Sequence, residues 1–278
     1  MQRKQKRDWL ARLTVLGLLA TGIAQAAWIL VDDFSNGLGK WTVEAAPTSN
    51  IAIVTNTLTG SSGPSGAVAM LDMPGVVNKY AVMTLKSTLS RGTSAALEVA
   101  FDLGYKWTSN GGYSQALSIQ TSATNTMASF VIAGHQGERS DIDHSYQFWE
   151  ATGTPPAATV QSFSSTSQTQ LSGTWYHYDL KMTATQSVLN VYAWVSSDPA
   201  AYASLTPYAT LTTSGGIGTG DYYLKLYNTQ RFASAPDTFV TTRDTMYVDN
   251  LYYTVPEPAA LALLALGALG LAWRRRRN

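Results

Sequence analysis

Between residues 27 and 254 no stretch of ten or more residues carries a 3.6-residue apolar period, whereas short period-two stretches recur throughout. That contrast decides the fold class, because a surface helix needs one apolar stripe at helical spacing and a half-buried strand needs alternation. The clearest case is residues 173–195. In GTWYHYDLKM, Tyr176, Tyr178, Leu180 and Met182 fall on one face, and Trp175, His177, Asp179 and Lys181 on the other. A six-residue connection, 183–188, leads to LNVYAWV, in which Leu189, Val191, Ala193 and Val195 share a face. Comparable stretches at 28–32, 40–45, 51–55, 67–72, 80–86, 95–103, 115–121, 128–133, 147–151, 222–227 and 246–254 lie between clusters of Gly, Ser, Asn and Pro. Such spacing predicts an all-β sandwich or barrel. No fixed repeat is visible, which argues against a propeller or solenoid. The Ser/Thr-rich segments 159–172 and 212–220 read as loops able to carry O-glycans.

Two local patterns narrow the fold. The pair GTWYHYDL…LNVYAWV is similar to the hairpin of concanavalin A-like and laminin-G-like jelly rolls. The stretch DDFSNG followed by Trp41, together with YVDNLYY at 247–253, resembles the first and last strands of jelly-roll carbohydrate-binding modules. The resemblance implies a two-sheet jelly-roll sandwich whose first and last strands lie near one another. It also implies a structural calcium near Asp32, Asp33 and Asp249, since carboxylates and turn carbonyls are the oxygen ligands that Ca²⁺ takes. The residues alone admit a second reading, in which these aspartates satisfy local backbone N–H groups at turns and strand ends.

Both ends of the chain differ from this body. After Pro256-Glu257-Pro258 comes an apolar run, 259–273, and then Arg274, Arg275, Arg276 and Arg277. The run partitions into lipid as a helix, and four arginines resist transfer across the bilayer and stay on the cytoplasmic side. The prolines break the helix and hold Glu257 extended at the outer boundary, within reach of a processing enzyme. Fifteen residues at about 1.5 Å each make roughly 22 Å of helix against a hydrocarbon core of about 30 Å, which suits a temporary anchor better than a permanent one. This order of elements resembles the PEP-CTERM sorting signal of Gram-negative bacteria. It implies that an exosortase-type membrane cysteine transpeptidase reads residues 255–278 and that the membrane association through the short transmembrane helix is transient.

At the other end Arg3, Lys4, Lys6, Arg7 and Arg12 precede the apolar run 13–24, and Ala24-Gln25-Ala26 is an A-x-A site, with cleavage between Ala26 and Ala27 expected from signal peptidase. No Arg-Arg pair precedes the run, so export by the general secretory route is expected, to the cell surface or extracellular matrix. The chain thus divides into a signal peptide at 1–26, a sandwich at 27–254 and the sorting signal at 255–278.

Taking away both ends changes the electrostatics. The whole chain holds 19 Lys+Arg and 18 Asp+Glu, of which the two ends contribute nine basic and two acidic residues, leaving the body 10 and 16, a net of −6. A body of that sign without a basic stripe excludes nucleic acid as a natural partner. With no cysteine in the chain, thiol nucleophiles and Cys-based metal sites are excluded too.

The remaining chemistry is sparse. His135, Glu138, Asp141, Asp143 and His144 lie within eleven residues, with Glu150 nearby, but their spacing matches no helix-based zinc motif and their Gly-rich setting reads as a solvated loop. Concanavalin-like glycosidases place paired carboxylates in an E-x-D-x-x-E string, which is absent; Glu98 and Asp102 share a strand face but are spaced otherwise. No G-x-S-x-G, P-loop or G-x-G-x-x-G occurs, so no catalytic residue is assigned. Aromatic side chains are the binding groups on offer, because their rings stack on sugar faces and their tips hydrogen-bond. Trp107, Tyr113, Trp149, Trp175 and Trp194 are the candidates, each with an alternative role in packing. The expectation is an exported surface protein that associates with exopolysaccharide in a biofilm or envelope. The alternatives are a secreted glycan-active hydrolase or lyase, and a self-associating structural protein.

Overall fold

Alternation along a strand buries one side-chain row and turns the other outward, and the architecture follows from repeating that choice. The computed structural model describes residues 27–45, 49–58, 62–73, 80–91, 96–106, 117–120, 127–128, 144–152, 159–214, 216–229 and 244–255. In chain order the strands are β1 (Ala27–Asp32), β2 (Trp41–Ala45), β3 (Asn50–Thr55), β4 (Ala67–Met73), β5 (Tyr80–Leu85), β6 (Leu89–Ser90), β7 (Ala96–Lys106), β8 (Leu117–Gln120), β9 (Met127–Ala128), β10 (His144–Thr152), β11 (Thr159–Gln170), β12 (Trp175–Thr183), β13 (Ser187–Ala193), β14 (Ala209–Thr213), β15 (Asp221–Thr229) and β16 (Asp244–Val255). One sheet runs β14-β13-β12-β7-β16-β4-β3, with β1 also paired to β16; a second runs β2-β5-β15-β8-β9, with β6 also on β15. β10 and β11 pair as a separate hairpin. Residues Trp28–Tyr253 form one compact unit.

The inner faces of the two sheets make the core. Leu97, Val99, Phe101, Leu103 and Tyr105 of β7 meet Tyr178, Leu180 and Met182 of β12 and, from the second sheet, Met83, Leu85, Leu224 and Leu226. Phe101 and Tyr178, directly opposite in the ladder, stack with centroids 5.1 Å apart. Each such apolar side chain contributes about 1.5–3 kcal/mol by leaving water.

The alternation read for β12 holds: Tyr176, Tyr178, Leu180 and Met182 are all buried. The connection to β13 is shorter than expected, residues 184–186. The Thr183 hydroxyl draws it tight by accepting the N–H groups of Thr185 and Gln186. Val195 lies beyond the end of β13 and is exposed rather than in the core. The segment 159–172 is not a loop. Its first twelve residues form β11, paired with β10 from Thr159↔Thr152 to Gln170↔His144. Hydroxyl-rich composition resembles a loop, yet β-branched Thr accepts extended backbone and the ladder bonds to β10 fix it. Residues 212 and 213, also read as loop, close β14.

The outer face of the eight-stranded sheet carries a second, smaller apolar cluster: Leu58, Val68, Trp175 and Tyr247, with Val54, Met70 and Trp194 against it. The loop after β3 folds over it. Asn56 accepts the Leu58 N–H and the Trp175 indole N–H, and donates to the Pro64 carbonyl. Close approach requires glycine at two places: a Cβ at Gly63 would strike the indole of Trp175, and one at Gly104 would strike both Leu58 and that indole. Trp175 is therefore a packing residue of the outer layer. Trp175→Ala is expected to cost about 3–5 kcal/mol of stability in denaturant unfolding; an unchanged midpoint would contradict this packing.

Candidate functional site

Directly opposite residues in an antiparallel ladder share a face, so the registers assemble the outer face row by row. One row is Asp249 of β16, Asp102 of β7, His177 of β12 and Tyr192 of β13. The next is Ala100, Asp179, Asn190 and Thr210. A third holds Glu98, Lys181, Val188 and Thr212.

Asp102 is completely buried and organises the first row. Its Oδ1 lies 2.7 Å from His177 Nδ1, and its Oδ2 accepts the Trp194 indole N–H and an Asn250 amide N–H, each at 2.8 Å. Asn250 reaches it because β16 bulges: the register against β7 shifts between Asp249 and Tyr252, and Asn250 adopts φ 50. Asn tolerates that left-handed geometry at little cost. On its other side His177 stacks on Tyr202, with centroids 3.7 Å apart and planes at 6°. Tyr202 belongs to a 3-10 turn, Pro199–Tyr202, which Asp198 caps by accepting the Ala200 N–H. The Tyr202 hydroxyl accepts the N–H groups of Val195 and Ser196 and donates to the Ser196 carbonyl. A surface loop is thereby fastened over a buried polar pair, and Trp194, where that loop leaves β13, is held half-buried.

The second and third rows are more open. Glu98 pairs with Lys181 at 2.5 Å, and Thr210 donates to Asn190 at 2.9 Å. Asp179 stands between them, half-buried, with one carboxyl oxygen unpartnered. Burial first, and the Glu98 charge second, push its carboxyl up to about 6, against the opposing pull of His177 and Lys181. Burial and the Asp179 charge raise the Tyr192 hydroxyl.

The three aspartates expected at calcium meet only in part. β1 pairs with β16, so the first and last strands are neighbours as the resemblance implied. Asp32 spends both oxygens on protein donors, the Phe34 N–H and the Trp41 indole N–H. Phe34, held at φ 56 by that first bond, stacks on Trp41 in the core. Asp33 accepts the Ser35 hydroxyl and N–H, which hold its carboxyl below the usual range. Among the described residues no three His, Cys, Asp or Glu side chains are placed to hold a metal ion. The turn reading accounts for both oxygens of Asp32 and for one oxygen of Asp33. Asp249 differs: it is buried with Oδ1 unpartnered. Burial pushes its carboxyl up to about 8, reinforced by Asp102, Asp33 and Asp32 and opposed by the Asn250 N–H.

Of the aromatic candidates, Trp194 stays partly accessible, whereas Trp175 is 1% exposed and has no free ring face. Trp107 and Tyr113 lie outside the described residues; of Trp149 only the backbone is described, in β10 opposite Phe163. Ala27 opens β1 and His144 opens β10, while Ala24, Ala26, His135, Pro256, Glu257, Pro258 and Arg274, Arg275, Arg276, Arg277 lie outside the described residues. So does the expected C-terminal helix; among the described residues no helix is long and apolar enough to cross a membrane.

Residues 254–277 match the PEP-CTERM protein-sorting motif. The tail is a sorting signal. A PEP-CTERM motif implies an exported protein, processed by an exosortase and passing through a transient membrane-anchored state before surface association. No curated protein matches the chain. Among solved structures, the sandwich is similar to a Bacteroides ovatus glycoside hydrolase family 16 enzyme of a mixed-linkage glucan locus, with TM-score 0.50 and 12% identity over 80% of this chain and 98% of that one. Lectin II from Ulex europaeus matches with TM-score 0.44 and 10% identity over 82% and 97%. The CBM2 module of the evolved Dit of Lactobacillus casei BL23 phage J-1 matches with TM-score 0.42 and 10% identity over 84% and 98%. At these identities the likeness is one of fold, a two-sheet jelly roll.

The raised Asp249 carboxyl makes a pH prediction for the sandwich. Asp249 binds its proton more tightly folded than unfolded, so its contribution is fully present below about pH 4 and is lost as pH rises towards about 8. Asp249→Asn is expected to keep a melting temperature that falls less between about pH 5 and pH 9 than wild type. Parallel curves would contradict the assignment, and a higher melting temperature in calcium than in chelator would contradict the turn reading of Asp32 and Asp33.

Proposed function

We propose that the sandwich binds neutral exopolysaccharide through the outer face of its eight-stranded sheet, and that the tail delivers it to the cell surface where such polymers accumulate. The observation that carries this reading is the half-buried Trp194, its edge fixed by Asp102, on the same outer face as the open row of Asp179, Asn190 and Thr210, with the His177–Tyr192 row between them. A sugar needs an aromatic plane for its apolar face and fixed donors and acceptors for its hydroxyls, and low mobility of those groups reduces the entropy cost of binding. The acidic body suits uncharged polymers better than anionic ones.

A second reading, a secreted glycan hydrolase, is favoured by one feature. Asp179, pushed up to about 6, and Glu98, held in an ion pair by Lys181, are two neighbouring carboxyls with different environments. Such a division suits an acid and its ionised partner. The tests separate the two. Retention on exopolysaccharide from a producing bacterium should fall at least about ten-fold in Trp194→Ala, about 1.4 kcal/mol, which is the scale of a single ring stacked on a sugar. Release of reducing sugar that disappears in both Asp179→Asn and Glu98→Gln would favour the hydrolase. Undiminished retention by Trp194→Ala would remove this face from consideration.

A further inference from the structure

We propose that in the anchored precursor the sandwich lies directly on the bilayer surface, with Trp28, Ile29 and Leu30 at the start of β1 seated in the lipid interface. This seating rests on the sorting reading of the tail and goes beyond it by naming the surface that meets the membrane.

Chain length sets the distance. β16 continues as a strand to Val255, and the apolar run of the tail starts at Ala259, leaving only Pro256, Glu257 and Pro258 between them. Three extended residues reach about 10 Å. A globular body of this size has a radius of gyration of about 17 Å. The tether is shorter than the body's own radius, so a folded sandwich cannot stand clear of the bilayer that holds its tail.

Topology then selects the side. β4 pairs with the first half of β16, Asp244 to Val248, which leaves the half running to Val255 for β1. The charges of Asp32 and Asp33 act on Asp249 in the middle of β16, so the end of β1 lies there and its start lies towards Val255. That start is apolar and open to solvent. Ile29 is 42% exposed and Leu30 44%, and Trp28 before them is partly exposed. Exposing such residues to water on a short edge strand stabilises nothing, whereas an interface takes up aliphatic groups and an amphipathic indole. With a net charge of −6 on the body, apolar seating rather than attraction to anionic headgroups supplies the contact.

The chain has no cysteine, so single reporters can be placed cleanly. The chain from Ala27 to Asn278, carrying Leu30→Cys, Val43→Cys or Leu264→Cys, is labelled with an environment-sensitive nitrobenzoxadiazole dye and reconstituted in phosphatidylcholine–phosphatidylglycerol vesicles containing a doxyl-lipid quencher. Val43 is 46% exposed on β2, the edge of the other sheet, and serves as the aqueous control. The expected result is blue-shifted, quenched emission at positions 30 and 264 and neither effect at 43. A flexible Gly/Ser insert of about ten residues after Val255, reaching about 17 Å, should return position 30 to its aqueous spectrum while leaving 264 quenched. Quenching at 264 with position 30 behaving like 43 overturns the seating and leaves the sorting reading intact. Absence of quenching at 264 overturns both.

Discussion

One buried carboxyl holds the outer half of this protein together. Asp102 sits at the centre of an eight-stranded sheet, on the face away from the main core, with no exposure to water. A polar group in that position is costly unless its oxygens are satisfied. Here they are satisfied from three directions: β12 through His177, the loop after β13 through Trp194, and the bulge of β16 through Asn250. Removing the carboxyl would orphan two buried donors and the half-buried Trp194 indole together, a loss of several kcal/mol on the scale of broken buried networks. The bulge, the fastened loop and the posture of Trp194 all depend on this one acceptor.

Because that network is apart from the hydrophobic core, the two faces of the sheet do different work. The inner face is a layer of alternating apolar side chains packed on a second sheet, and it sets the fold. The outer face is partly roofed by the loop over Trp175 and by the Tyr202 turn, and left open along Asp179, Asn190 and Thr210. An apolar floor with rigid polar groups along an open strip is the arrangement from which the glycan-binding reading follows. Tail and body are thus separate in kind: the tail carries the sorting motif, and the outer face is where glycan binding is proposed.

Much of the fold was legible because its signal is local. The period-two rows of β12, β7 and β16 announce which side chains go inward, and every inward residue predicted for β12 is buried. The tail was legible for the same reason, since its parts follow one another without interruption. What was not legible is what depends on distance along the chain. Asp102 meets its partners 75, 92 and 148 residues away, and nothing in the stretch around it marks it as a hub. The outward phase of Trp175 was correct, but the loop that roofs it comes from over a hundred residues earlier, so its burial was hidden. The hydroxyl-rich β11 was missed because composition carries no information about a ladder partner. Asp32 illustrates the converse: in a pattern shared with calcium sites, both of its carboxyl oxygens are taken by the Phe34 N–H and the Trp41 indole.

If both ends are handling segments, the sandwich between them is the working protein. Intact mass of the protein recovered from the cell surface tests that division most directly. The expected species begins at Ala27 and lacks Arg274–Arg277. A surface form that retains the arginine cluster would contradict it.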